Sequence, residues 1–329
     1  MKNENAIGLD IGTSRIVAAK RNNGQDQIDA QLNAFVSLPH SKLTEAVFAK
    51  ESVPYFVSGG EILVFGNEAP RLAGRFNRDA RRPMMAGLLN AGEPSGTEMI
   101  NRIISAVLGE ATQGTRLCFS VPGAPPDSPE SLTYHEKTLH HMLSKLGYQV
   151  SSVNEGLAVI LSELAETNYT GIGISFGGGM CNVCMAYLSI PVFSFSVPKA
   201  GDFIDASAAS VAGESLTRVR GVKEESFQFN GFFGDRIRQA LTVYYDELIR
   251  LVASRLRTAV AQAQQSAPFD RPIPLVVSGG SSLPGGFVQR FSAALSEIDT
   301  GVQISDIRAA ADPLNATAKG ALVAALAGI

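Results

Sequence analysis

The sequence predicts an α/β protein built from two similar halves. Three observations carry this. Short apolar runs bounded by glycine and proline alternate with longer amphipathic stretches, so strands and helices interleave. Two hairpin patterns with glycine turns stand far apart, one near residue 12 and one near residue 178, and helical patterns follow each. The 329 residues are 45% hydrophobic and 18% charged, enough to fill sizeable cores and too apolar for disorder. At ~100–200 residues per domain, the length suggests about two domains. They are expected at residues 1–150 and 151–329, with small insertions about residues 30–90 and 203–270.

Ala6 to Lys20 reads as strand, tight turn, strand. Residues 21–32 are polar, with Asn23-Gly24 as a turn signal. Residues 52–66 alternate well enough for a short hairpin about Gly59-Gly60. In residues 97–110, Met99, Ile100, Ile103, Ile104, Val107 and Leu108 recur near the helical period. Leu117–Val121 is a short strand, residues 123–131 a loop, and Leu132–Leu146 a helix stopped by Gly147. Tyr148–Asn154 is a strand and Gly156–Ala165 a helix. Ile172–Tyr187 repeats the strand, glycine turn, strand pattern, and Val192–Val197 adds a third strand. Helices are expected over Phe203–Ala212 and, singly or as a pair, over Asp235–Gln265. Leu275–Ser278 is a strand running into Gly279-Gly280, and an alanine-rich helix covers Ala316–Ala327.

Charge and special residues exclude several classes. The net charge is −3 and no block of lysine and arginine stands out, so no nucleic-acid footprint is expected. The first residues are polar and lead into a short apolar segment without a signal-peptide core. No run approaches the ~20 apolar residues that span a bilayer. A cytoplasmic location is expected, with direct membrane binding resting only on a small apolar spot at Met84, Met85, Leu88 and Leu89 that core packing explains better. Cys181 and Cys184 fall on one strand, where i and i+3 face opposite ways, so they and Cys118 read as buried apolar thiols. His135, His140 and His141 lack the i, i+4 spacing of a metal pair. The arginines at 236, 238, 250, 255 and 257 read as a solvated helix face paired with Asp235, Asp246 and Glu247.

Glycine turns between strands let backbone N–H groups approach an anion, because no Cβ intervenes. Two such turns on facing halves can clamp a polyphosphate. Asp10, just before the first turn, could orient Mg²⁺ through its waters, and Thr13 could donate to a phosphate. Ser278-Gly279-Gly280-Ser281-Ser282 follows a strand and precedes a helical stretch, a place suited to backbone contact with a nucleotide. Taken alone, each is also what an ordinary turn looks like.

The order of the pieces points further. GLDIGTSRIVAA resembles the first phosphate loop of the actin, heat-shock chaperone and sugar kinase superfamily. NEGLAVILSEL is similar to its first connecting segment, GISFGGGMCNVCMA to its second phosphate loop, VVSGGSSLPGGF to its adenosine motif, and DPLNATAKGALVAAL to its second connecting segment. All occur in the family order. Arg82-Pro83-Met84 with Gly87-Leu88-Leu89, and Lys199 to Asp205 (KAGDFID), resemble elements of the bacterial actin MreB branch.

This resemblance implies an actin-like (ribonuclease H-like) duplicated fold with a nucleotide cleft between the halves. It places ATP or ADP with Mg²⁺ at Asp10, Gly12, Thr13 and Ser14 on one side, and at Ser175, Gly177, Gly178 and Gly179 on the other. Gly279, Gly280 and Ser281 match the adenosine motif, Asp10 the metal-linked carboxylate, and Glu155 the residue that positions the attacking water. Lys223 and Glu224 match the adenine and ribose contacts poorly and read better as a solvated charged patch.

One departure bears on chemistry. Ser175 stands where the family has aspartate, Met180 where it has threonine, and Asn182 where an acidic residue is common. A hydroxyl cannot replace a carboxylate's charge beside a metal. Losing one positioning group in phosphoryl transfer commonly costs on the order of 10²–10³ in rate. The resemblance therefore implies ATP-dependent self-association into filaments with slow or impaired hydrolysis. The alternatives are a non-polymerising pseudo-ATPase used as a scaffold and a sugar-kinase-type phosphotransferase. The latter needs a carboxylate base facing a substrate pocket.

Overall fold

The computed structural model describes residues 5–329 except 23, 110–113, 125–128, 230, 232–233 and 264–270. The chain opens with an antiparallel meander of β1 (Ala6–Ile11), β2 (Arg15–Asn22) and β3 (Gln25–Leu32). The first turn closes where Gly12 donates its N–H to the Arg15 carbonyl at 2.9 Å. The polar stretch after it is a strand. β3 lies on the sheet edge and is partly or fully exposed along its length, with Ile28, Ala30 and Leu32 alternating as a short apolar face in an otherwise polar strand. Asn23 lies outside the described residues, and Gly24 beside it takes φ +80° as a hairpin turn requires.

An inserted segment follows: β4 (Phe35–Pro39), α1 (Lys42–Lys50), β5 (Tyr55–Ser58), β6 (Glu61–Phe65), α2 (Glu68–Arg75) and the short pair β7 (Met84–Met85) and β8 (Leu88–Leu89). β4, β6 and β5 make a separate sheet with its own core of Val36, Phe48, Ile62, Val64 and Leu72. Met84 is buried, whereas Met85 is exposed rather than part of the core.

The chain then returns to the first sheet through α3 (Gly96–Leu108), β9 (Arg116–Val121), α4 (Pro129–Lys145) and β10 (Gln149–Asn154). The buried side of α3 consists of Gly96 and the six apolar residues that set its periodicity. β9 pairs parallel with β1 and β10 with β9, giving the order β10-β9-β1-β2-β3.

The second half comprises α5 (Glu155–Glu163), β11 (Gly171–Phe176), β12 (Cys181–Tyr187), β13 (Ile190–Val197), α6 (Gly201–Ala212), α7 (Leu216–Glu225), α8 (Arg236–Ala263), β14 (Ile273–Ser278), α9 (Phe287–Ser296), β15 (Ile304–Ala309) and α10 (Ala316–Ala327). Its sheet order, β13-β12-β11-β14-β15, repeats the first: an antiparallel meander, then two parallel strands on the far side of the first strand. α8 is one helix, and the expected Gln265 terminus lies outside the described residues. It buries Tyr245, Leu248, Val252 and Leu256 in the same core as Phe176 and Phe287. Its acidic residues differ from expectation. Only Asp235 pairs with an arginine of this helix, Arg238, while Asp246 pairs with Arg290 of α9 and Glu247 with Lys199.

Helices cover the opposite halves. α5 follows the first sheet yet packs on β11 and β12, and α10 follows the second sheet yet packs on β1 and β9. The fit is backbone to backbone. A Cβ on Gly8 would overlap the Ala318 carbonyl in α10, and one on Gly320 would overlap the Ala158 carbonyl in α5.

The special residues are structural. Cys181 and Cys184 lie in different cores, and burial raises the Cys184 thiol pKa to about 12 and that of Cys118 to about 11. His135 accepts the Leu89 N–H at 3.2 Å, and burial lowers its pKa to about 4, so it stays neutral. Among the described residues no cluster of metal-ligating side chains occurs, and no helix is long and apolar enough to cross a membrane.

Candidate functional site

The two glycine turns face each other in van der Waals contact. Each is closed the same way: Gly12 N–H to Arg15 carbonyl in the first, Gly177 N–H to Met180 carbonyl in the second at 3.0 Å. A Cβ on Gly178 would overlap the Ser14 hydroxyl, and one on Gly179 would overlap the Thr13 hydroxyl. Only glycine permits this approach. Thr13 is buried and its Oγ1 accepts the Gly87 N–H at 3.0 Å, so the inserted segment joins the same contact.

Each turn is pinned by the chain that leaves its meander. Asn33, after β3, donates its side-chain amide to the Gly12 carbonyl at 2.9 Å and its backbone N–H to the Ser14 carbonyl at 3.0 Å. Gly201 and Asp202, after β13, donate backbone N–H groups to the carbonyls of Gly177 and Gly178 at 3.2 and 2.8 Å. Ser281 donates its hydroxyl to the Gly177 carbonyl at 2.8 Å, tying the Gly279–Ser281 turn to the second loop. That leaves the N–H groups of Thr13, Ser14, Gly178 and Gly179 without a backbone partner among the described residues.

Behind the turns lie two carboxylates. Asp10 accepts the Ser120 hydroxyl at 2.7 Å, and burial raises its pKa against that hydrogen bond and the nearby Arg15 charge. Glu155, at the first turn of α5, accepts the Ser175 hydroxyl at 3.2 Å. Burial raises its pKa to about 8, and the Asp10 charge adds to this, while Ser175 and Asn182 pull the other way. The serine in the second loop thus props Glu155. A carboxylate there would face Glu155 across a hydrogen-bond distance and repel it.

A charged network flanks the second loop. Asp202 binds Arg82 Nη1 at 2.7 and 2.9 Å and Arg220 Nη2 at 3.2 Å. Asp205, fully buried, pairs with Arg220 Nε at 3.1 Å and Lys223 Nζ at 2.8 Å. Lys223 therefore corrects the sequence reading. Only 9% of its side chain is exposed, held under Gly201 by Asp205, and it is no solvated patch. Glu224 is exposed.

The sequence pattern of the Volactin family matches residues 5–325. The chain belongs to the Volactin family. No protein of curated function matches this volactin-family chain in sequence. Solved structures resemble it in shape. One titled as a MamK double helical filament is 17% identical, with a TM-score of 0.73 over 96% of this chain and 97% of that one. MreB 5 of Spiroplasma citri, bound to AMPPNP, is 15% identical with a TM-score of 0.68 over 97% and 95%. The ethanolamine utilization protein EutJ of Carboxydothermus hydrogenoformans is 16% identical with a TM-score of 0.54 over 96% and 89%. At these identities the likeness establishes the fold, and the Volactin-family chain has the actin-like fold.

The structure brings together Asp10, Gly12, Thr13, Ser14, Glu155, Ser175, Gly177, Gly178 and Gly179, with Gly279, Gly280 and Ser281 joined through the Gly177 carbonyl. Sequence reasoning missed Ser120, Asn33 and the partners of Asp202. Ser120 was legible only as the residue that β9 places beside Asp10 in the parallel register. Asn33 carried a faint signal, a lone polar residue between Leu32 and Ala34-Phe35, and the structure buries it completely.

Proposed function

We propose that this chain binds an adenine nucleotide with Mg²⁺ between its two glycine turns and uses nucleotide state to control head-to-tail self-association into filaments. The observation that carries this is the duplicated pair of turns, meeting glycine to hydroxyl, with two half-buried carboxylates behind them. Loop N–H groups and the Thr13 and Ser14 hydroxyls would bind phosphate oxygens, and Asp10 would hold Mg²⁺ through its waters. The residues fit a divalent cation. Burial holds both Asp10 and Glu155 back from ionising, and for Glu155 the Asp10 charge adds to it; a bound cation would offset that. Bound Mg²⁺ supplies positive charge against the phosphate oxygens. A solved relative bound to AMPPNP and another in a double helical filament support the nucleotide and the polymer. Closure on the terminal phosphate would favour one cleft angle, and a heterologous contact that does not close generates an open filament. Such a polymer would draw its ATP from the cytoplasm.

Hydrolysis is expected to be slow. Ser175 brings a hydroxyl rather than a second carboxylate to Glu155, so the site has one negative group fewer to organise Mg²⁺ and its waters. Ser175, together with an insertion in the second half reduced to α6, α7 and α8, favours a second reading, a nucleotide-holding platform that does not polymerise. Ultracentrifugation over a concentration series with Mg²⁺ and ATP, ADP or no nucleotide separates the two. Pelleting above a critical concentration, only with nucleotide, supports the filament. Protein that binds nucleotide yet stays in the supernatant supports the platform.

A further inference from the structure

Among the described residues, one ion pair joins residues 1–150 to residues 151–329: Arg82 with Asp202. Its position is specific. The Asp202 backbone N–H holds the Gly178 carbonyl at 2.8 Å, while its side chain reaches across to Arg82 at 2.7 Å. One residue thus grips the second glycine turn and the opposite half together. Arg82 leads directly into Met84–Leu89, whose Gly87 N–H holds Thr13 of the first turn. The remaining contacts between the turns are glycine against side chain, each holding only weakly by dispersion, and beside them the Gly123 N–H donates to Asn182 Oδ1 at 2.9 Å. Asp202 is anchored on its own side by Arg220, so it keeps its place when Arg82 leaves.

We propose that Arg82 and Asp202 form a latch that holds the two halves shut. A consequence, which rests on the nucleotide reading above, is that the latch slows nucleotide release. The pair is about a quarter to a third exposed, at 23% and 34%. A partly exposed pair of this kind shifts an opening equilibrium about fivefold, and salt weakens it.

The test uses the full chain with Arg82→Gln, Asp202→Asn and the double variant, each checked for an unchanged far-ultraviolet circular dichroism spectrum. Without nucleotide, amide hydrogen exchange is read over residues 84–89 and 176–181. Arg82→Gln is expected to speed both strips about fivefold. The double variant should be no faster than the faster single, since the two share one interaction. High salt should speed the wild type and leave Arg82→Gln unchanged. Unaltered strips in Arg82→Gln, or effects that add in the double variant, overturn the latch. Release of a preloaded fluorescent adenine nucleotide is then followed by chase. Faster release from Arg82→Gln supports the gating consequence, and equal release overturns it. A wild type that binds no nucleotide, with the exchange results as expected, retains the latch and removes the nucleotide reading.

Discussion

Glu155 is a carboxylate kept from ionising by its surroundings, and that has a measurable signature. Its pKa is raised from an ordinary 4.5 to about 8. The folded state therefore binds more protons than the unfolded state between those values, and stability falls as pH rises through that window. Without nucleotide, the wild type should melt several degrees lower at pH 8.5 than at pH 5.5. Glu155→Gln should flatten that slope and melt higher than wild type at pH 8.5, as calorimetry would show. Ser175→Asp should lower the melting temperature without Mg²⁺, because it sets a second negative group beside Glu155. Added Mg²⁺ with ATP should restore it. Much of this site was visible at single-residue resolution, because glycines and lone carboxylates at strand ends are distinctive. The pairing of Ser175 with Glu155 was not visible. It depends on α5 leaving the first sheet to lie against β11, and neighbours along the chain do not encode that.

Secondary structure was legible where packing and periodicity agree. α3 shows its buried face in sequence because one side of it meets the core and the other meets water. β3 did not, because its alternation is confined to Ile28, Ala30 and Leu32 at one end of a mostly polar edge strand. α1, α2 and α7 also went unread as individual helices, being short and set in polar sequence, whereas α9 is the helical stretch expected after the Gly279-Gly280 turn. The close approaches between elements are sharper than the elements themselves. Gly320→Ala would drive a methyl into the Ala158 carbonyl, where backbone cannot yield cheaply. It should cost about 3 kcal/mol or more and lower the melting temperature accordingly. Gly179→Ala should leave each sheet folded and part the two turns, read as faster amide exchange at Gly87 with little change in melting temperature. The three buried cysteines should resist a thiol reagent in the native protein and all react once it is denatured.

At the scale of the molecule, the two sheets share one strand plan and differ in what is inserted. The first half carries a sheet with its own core, and the second carries three helices. The duplication was legible as an echo of two glycine hairpins. The exchange of covering helices was not, because it is fixed by which backbone can approach which glycine. Nucleotide that bridges the halves should stabilise the whole. With Mg²⁺ and ATP at ~100-fold over the dissociation constant, linkage gives about 2.7 kcal/mol, a rise of several degrees in melting temperature. A chain that shows no such rise with any adenine nucleotide would count against the clamp.

The exchanged helices also bear on how the protein is made. β1, the earliest strand described, has one face in the core of its own half, with Leu9 beside Ile103 and Leu139, but its Gly8 face is covered by α10, the final helix described. Until then its Gly8 face has no partner. The first half therefore cannot finish folding until α10 is made, and nascent chains would hold one face of that sheet uncovered while the second half is synthesised. That is the interval in which chaperones would have to guard it. It also means that neither half can be cut away as an independent unit.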